Sequence, residues 1–128
     1  MLLFGHPLIE VEPWYKVKSI EDINKTPSNS TMVLESIEKY AHIAKHCKEN
    51  SVNFACSVDS VKQAIIANAL NTTYILCSDN ALASEVQKVA NEYLWSAKVI
   101  SIIANEEAIE EIAKLGIDGV VINSYIES

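Results

Sequence analysis

Residues 52–78 have the sequence VNFACSVDSVKQAIIANALNTTYILCS, in which two short apolar runs flank a helical stretch. The runs, 52–57 and 74–77, have the composition of buried strands, and residues 60–70 repeat small and apolar side chains at helical spacing. A strand, a helix and a second strand joined by minimal loops are typical of a βαβ unit, whose two strands are parallel. The stretch therefore predicts an α/β fold with a parallel sheet.

The same alternation of apolar runs and helical stretches continues on both sides of this unit. At 128 residues the chain is long enough for one core, so we predict a single domain spanning residues 1–128. The expected fold is three-layer α/β with a mostly parallel sheet of five or six strands, either flavodoxin-like or a half-(βα)8-barrel. Strands are predicted at 14–18, 31–34, 52–57, 74–77, 98–103 and 119–122.

The first 12 residues do not follow this alternation. We expect them to form an arm that lies over the domain or over a partner subunit. Four apolar residues, Phe4, Leu8, Ile9 and Trp14, are candidates for an interface patch, with cover of the same chain as the alternative. A half-barrel would also leave edge strands unpaired, which is costly, so the sequence predicts a homo-oligomer.

Composition narrows the range of partners. The net charge is −7 and all ten basic residues are lysines, so we expect neither nucleic-acid binding nor sites that clamp an anion with arginine. No apolar run approaches the length of a membrane span, and the N-terminal residues lack the pattern of a signal peptide. Cys47, Cys56 and Cys77 lack the spacing of a disulfide framework or a zinc site. We expect a cytoplasmic protein with reduced thiols.

Two segments resemble the repeated unit of phosphate-binding (βα)8 barrels, such as the keto-acid-phosphate aldolases and thiamine-phosphate synthases. The segments are SVDSVKQAIIANALNTTYILCS (57–78) and AIEEIAKLGIDGVVINS (108–124). The resemblance implies barrel geometry over residues 52–124. The aldolases also require a Schiff-base lysine at the C-terminal end of a strand, whereas Lys98 begins its strand, and the phosphate-cradling glycines are missing. We therefore expect the geometry of about half a barrel without its chemistry.

The C-terminal ends of parallel strands are the usual place for a site in α/β proteins. The candidate catalytic residues there are Glu35, Cys56, Asp59 and Cys77. The alternative is that they are helix caps and core residues, because free cysteines are mostly buried and inert and aspartates commonly cap helices. Neither a P-loop nor a GxGxxG motif is present, so no cofactor is predicted.

His42 and His46 are the candidate metal ligands. They are four residues apart and so lie on one face of a predicted helix, a spacing that can chelate a divalent cation. The apolar stripe of that helix lies on the opposite side. The alternative is an exposed polar face that holds no specific metal.

Two functions of different classes remain. The first is a non-enzymatic regulatory or scaffolding protein that acts through self-association. The second is a small-molecule metabolic enzyme, related to the barrel aldolases, with its site at the strand ends. A cluster of the candidate residues at those ends would favour the enzyme, and candidate side chains that point apart would favour the scaffold.

Overall fold

The structure, a computed structural model, describes residues 1–127. Strands and helices alternate as predicted, and every strand pairing in this range is parallel, so the α/β class and the parallel sheet are confirmed. The elements in chain order are β1 (Leu2–Phe4), β2 (Trp14–Lys16), α1 (Ile20–Asn24), β3 (Thr31–Leu34), α2 (Ala41–Glu49), β4 (Phe54–Ser57), α3 (Val61–Ala69), β5 (Tyr74–Cys77), α4 (Asn80–Glu92), β6 (Lys98–Ile103), a 3₁₀ turn (Glu106–Ala108), α5 (Ile109–Lys114), β7 (Gly119–Ile122), a second 3₁₀ turn (Asn123–Tyr125) and β8 (Ile126–Glu127).

The strands form one sheet in the order β1-β7-β6-β5-β4-β3-β2-β8. From β2 to β7 each strand lies beside the preceding strand in the sequence, so the order does not reverse as it does in a flavodoxin-like sheet. The half-barrel is therefore the architecture found. Seven strands have three or more residues and β8 has two, which exceeds the predicted five or six. β1 and β8 were missed because they are too short to show a strand period.

The sheet curls until its two margins meet. β8 follows β7 after only three residues, yet it pairs with β2 near the other end of the strand order. Phe4 on β1 and Trp14 on β2 have ring centroids 4.7 Å apart, and both rings contact Tyr74 on the central strand β5. Because β8 continues from β7 and pairs with β2, the chain itself joins the two margins of the sheet. This weakens the earlier argument that unpaired edge strands require a homo-oligomer.

Alternate strand residues point to two different faces of the sheet, here called the inner and the outer face. The buried outer-face residues pack with residues of α2, α3, α4 and α5. The buried apolar residues of the inner face come from strands alone, one from each of β1 to β7, and fill the space inside the curl. They are Phe4, Trp14, Val33, Ala55, Leu76, Ile100 and Val121.

The start of the chain differs from the predicted surface patch. Phe4 and Trp14 are almost completely buried on the inner face, at 2% and 0% exposure, because the curl encloses their rings. Leu8 and Ile9 are exposed in the connection between β1 and β2. The four residues therefore do not form one interface patch.

Candidate functional site

Cys56 and Cys77, two of the four candidates at the strand ends, point to the outer face and lie under the helices. Both are fully buried, and burial raises the pKa of each thiol to about 12. The Thr72 hydroxyl lies 3.7 Å from the Cys56 sulfur and donates to it. With pKa values this high, both thiols are protonated at neutral pH, and the helices shield them from solvent. Neither is in the thiolate form, which is the reactive form of cysteine.

Glu35 and Asp59, the other two candidates, are exposed. Glu35 follows β3, and its carboxylate lies 3.2 Å from Lys16 Nζ. Asp59 precedes α3, where its backbone N–H donates to Gln63 Oε1 at 2.8 Å, while Ser60 caps the helix. The structure thus separates the four candidates into two buried thiols and two surface carboxylates, and it does not bring them together.

His42 is exposed on α2, as predicted, and His46 lies one turn further on. The nearest polar partner of the His46 ring is the Asn50 side chain, 3.4 Å from Nδ1. Within residues 1–127 the structure holds no group of three or more His, Cys, Asp or Glu residues that could bind a metal ion. The pair therefore has no third ligand in the described chain.

A groove of about 500 Å³ beside the C-terminal end of β2 was not predicted. We call it the β2 groove, and Lys16 and Glu35 form an ion pair at its wall. The Asp22 carboxylate accepts a hydrogen bond from the Lys18 backbone N–H at 2.9 Å, and this bond holds the pKa of Asp22 below its usual value. The lining residues are Tyr15, Lys16, Lys18, Asp22, Lys25, Thr26 and Glu35.

A polar cluster lies at the N-terminal end of the inner face. The Glu12 carboxylate accepts hydrogen bonds from the hydroxyls of Tyr74, at 3.0 Å, and Thr31, at 3.3 Å. Burial raises the pKa of the Tyr74 hydroxyl, and the nearby Glu12 charge raises it further. Trp14 stacks on Tyr74, and its buried indole N–H has no hydrogen-bond partner among the described residues. This cluster links the segment before β2 to the centre of the sheet.

An uncharged surface lies at the C-terminal ends of α3 and α4. We call it the α3–α4 patch, and its most exposed members are Tyr93 and Leu94. The groove beside them, of about 470 Å³, has no charged residue in its lining. Ile65, half exposed, lies one helical turn from Asn68 on the same helix. The patch comprises Ile65, Asn68, Asn71, Tyr93, Leu94, Trp95 and Ser96, and the buried residues Thr72 and Ala97 also line its groove.

The fold defines the class of this protein as a small parallel α/β protein of the half-barrel type. No protein-family model matches the chain, and no curated protein matches it in sequence. No helix in residues 1–127 is both long enough and apolar enough to cross a membrane. Inference about function therefore rests on the β2 groove and the α3–α4 patch.

Proposed function

We propose that this protein is a regulatory or scaffolding protein that acts by binding a second copy of itself through the α3–α4 patch. The observation that carries the proposal is the exposure of Tyr93 and Leu94, at 73% and 87%. Large apolar side chains that are adjacent and this exposed are a feature of interaction surfaces, where aromatic residues are enriched.

The backbone of Leu94 strengthens the argument. Leu94 has φ +52°, a left-handed conformation that costs most L-residues roughly 1 kcal/mol or more. The residues in the same position after α2, α3 and α5 are Ser51, Asn71 and Gly116, which are small or polar. A monomer and a dimer with the same backbone both carry this conformational cost, so the cost itself does not drive association. Burial of the exposed Leu94 side chain in a contact would offset it.

The charge of the chain restricts where a second copy could bind. Each copy carries a net charge of −7, so most pairs of surfaces would repel one another. In a two-fold contact the same residues face each other, and an uncharged patch avoids placing like charges together. The groove of the α3–α4 patch meets that condition because no charged side chain lines it, whereas the adjoining groove, which Leu94 also lines, includes Lys98 and Asp118.

The rival proposal is a metabolic enzyme related to the barrel aldolases that uses Glu35, Cys56, Asp59 and Cys77. Support for it comes from the alternating βα units. It is the weaker proposal because two of these residues are buried thiols with a raised pKa. In either role we infer a cytoplasmic protein, in keeping with three free, buried cysteines.

Light scattering over a dilution series tests the proposal on the full chain. We expect a mass that rises with concentration from 14.1 kDa toward twice that value. Leu94→Asp should hold the protein at the monomer mass, because a two-fold contact would bring two carboxylates together. Leu94→Asn removes the apolar side chain without adding charge and should weaken association less.

A matched control is Leu8→Asp, which adds the same charge at an equally exposed leucine outside the patch. This variant should associate like the natural chain. A natural chain that stays monomeric at all concentrations would overturn the proposal. Equal masses for Leu94→Asp and the natural chain would overturn the assignment to this patch.

A further inference from the structure

The β2 groove collects positive charge in an acidic protein. Three of the ten lysines of the chain, Lys16, Lys18 and Lys25, line it, with two carboxylates beside them. The groove therefore carries one excess positive charge, whereas the whole chain has a net charge of −7. A local reversal of sign in a concave surface attracts anions from solution.

The two carboxylates of the groove already have partners. Glu35 lies 3.2 Å from Lys16 Nζ, so this pair is neutral as a unit and fixes the lysine at the groove wall. Asp22 accepts the Lys18 backbone N–H and so caps the start of α1 together with Ser19. Within residues 1–127, neither the Lys18 nor the Lys25 ammonium has a carboxylate within 4 Å. The Lys25 charge is close enough to Asp22 to help lower the pKa of that carboxyl, but neither ammonium is held in an ion pair.

The shape and position of the groove also suit a small ligand. Its volume of about 500 Å³ lies within the range of small-molecule sites. Half-buried Tyr15 supplies a flat wall, and its hydroxyl makes no hydrogen bond within the described chain. The groove lies at the C-terminal end of β2, the end of a parallel sheet at which ligands commonly bind.

We propose that the β2 groove binds a small multivalent anion that carries phosphate or carboxylate groups. Lys18 and Lys25 supply the attraction, and Lys16 is the positioned cation at the wall. Lysine acts on such groups as a point charge, so the site does not require the bidentate geometry that arginine would give. This proposal is independent of self-association, because the groove and the α3–α4 patch share no residue.

Calorimetric titration of the full chain with inorganic pyrophosphate and, separately, with citrate tests the proposal. We expect one site per chain, with binding that weakens as salt is added. Tighter binding of pyrophosphate would assign the site to phosphate groups, and tighter binding of citrate to carboxylates. Lys18→Gln/Lys25→Gln should weaken binding by roughly tenfold for each lysine removed.

The matched control is Lys62→Gln/Lys88→Gln, which removes two exposed lysines from α3 and α4. Amide chemical shifts recorded with the same two anions should move near residues 15–26 and 35. The proposal is overturned if neither anion binds the natural chain. It is also overturned if the control weakens binding as much as the groove variant, or if the shifts lie elsewhere, since binding would then be general attraction to lysines.

Discussion

The inner face of the sheet and its outer face are both apolar, but they are buried by different means. Seven side chains from seven strands fill the inner face, including the rings of Phe4 and Trp14. The outer face is covered by four helices, which contribute small residues such as Ala64, Ala67 and Ala83. Inner-face packing therefore depends on contacts between strands far apart in the sequence, whereas each helix covers the strands next to it.

This difference explains why the inner face decides the fold. A strand that is apolar on both sides must be buried on both sides. A second layer of helices can achieve this burial, and so can a sheet that curls onto itself. The ring contacts among Phe4, Trp14 and Tyr74 join the first two strands to the fifth, and they exist only in the curled sheet.

Truncation of Trp14 should have the largest effect on stability. Trp14→Ala removes the largest inner-face side chain and leaves a cavity between β1, β2 and β5, so we expect a loss of about 3–5 kcal/mol in the free energy of unfolding. Trp14→Phe keeps a ring there and removes an indole N–H that has no partner in residues 1–127. It should cost less than Trp14→Ala, because the phenyl ring fills part of the volume that the indole occupies.

Urea unfolding of both variants measures these losses. Equal losses for Trp14→Ala and Trp14→Phe would mean that a phenyl ring restores none of the packing at position 14, which would contradict the prediction that filled volume decides the loss. A loss below about 0.5 kcal/mol for Trp14→Ala, the range of surface substitutions, would contradict a packed inner face.

Sequence patterns predicted the outer face better than the inner one. The predicted six strands are all present, and Ser60, Asp79 and Asn105, which are residue types typical of helix caps, accept backbone hydrogen bonds at the helix starts that follow β4, β5 and β6. Helix caps and the apolar faces of helices are local features, because each depends on residues that are close together in the sequence. Contact between Trp14 and Tyr74 spans 60 residues and leaves no periodic signal, so the choice between a flavodoxin-like sheet and a half-barrel stayed open.

The same reasoning applies to the candidate site. Alternation places Cys56 on the same side of β4 as Phe54, but the sequence does not say which side the helices cover. The cysteines were therefore candidates for the rim although they are core residues. The β2 groove had a weak signal in Lys16 and Lys18, which flank Val17, but Lys25 and Glu35 join them only through the fold.

A methyl group at Gly119 should have the next largest effect. A Cβ there would lie 2.6 Å from the Leu2 carbonyl oxygen and 2.9 Å from Ile100 Cδ1, so β1 would have to move away from β7. We expect Gly119→Ala to cost about 1–3 kcal/mol. Hydrogen exchange of the Leu2 amide, which donates to the Asp118 carbonyl at 2.8 Å, should become faster.

Gly116→Ala is the matched control for Gly119→Ala. A Cβ at Gly116 would meet no atom within 4 Å, so its cost arises only from φ +76° and should be about 1 kcal/mol. The exchange of the Leu2 amide should not change in this variant. An unchanged Leu2 amide in Gly119→Ala as well would show that β1 does not depend on the close contact with β7.

The smallest effect concerns the outer face, where the thiols lie, and it depends on pH. Burial raises the pKa of Cys56 from 9.0 to about 12, so above pH 9 the thiol ionises in the unfolded chain while the folded chain keeps its proton. Its contribution to stability is complete below pH 9 and declines as the pH rises toward 12. When the pH is raised from about 8 to about 10, the free energy of unfolding of Cys56→Ala should therefore fall by about 1 kcal/mol less than that of the natural chain.

The control is Val58→Ala, which changes a buried outer-face residue that cannot ionise and should follow the natural chain. Urea unfolding at both pH values measures all three proteins. If Cys56→Ala also follows the natural chain, the thiol is not held in the protonated form by burial, and the helices do not seal the outer face at β4.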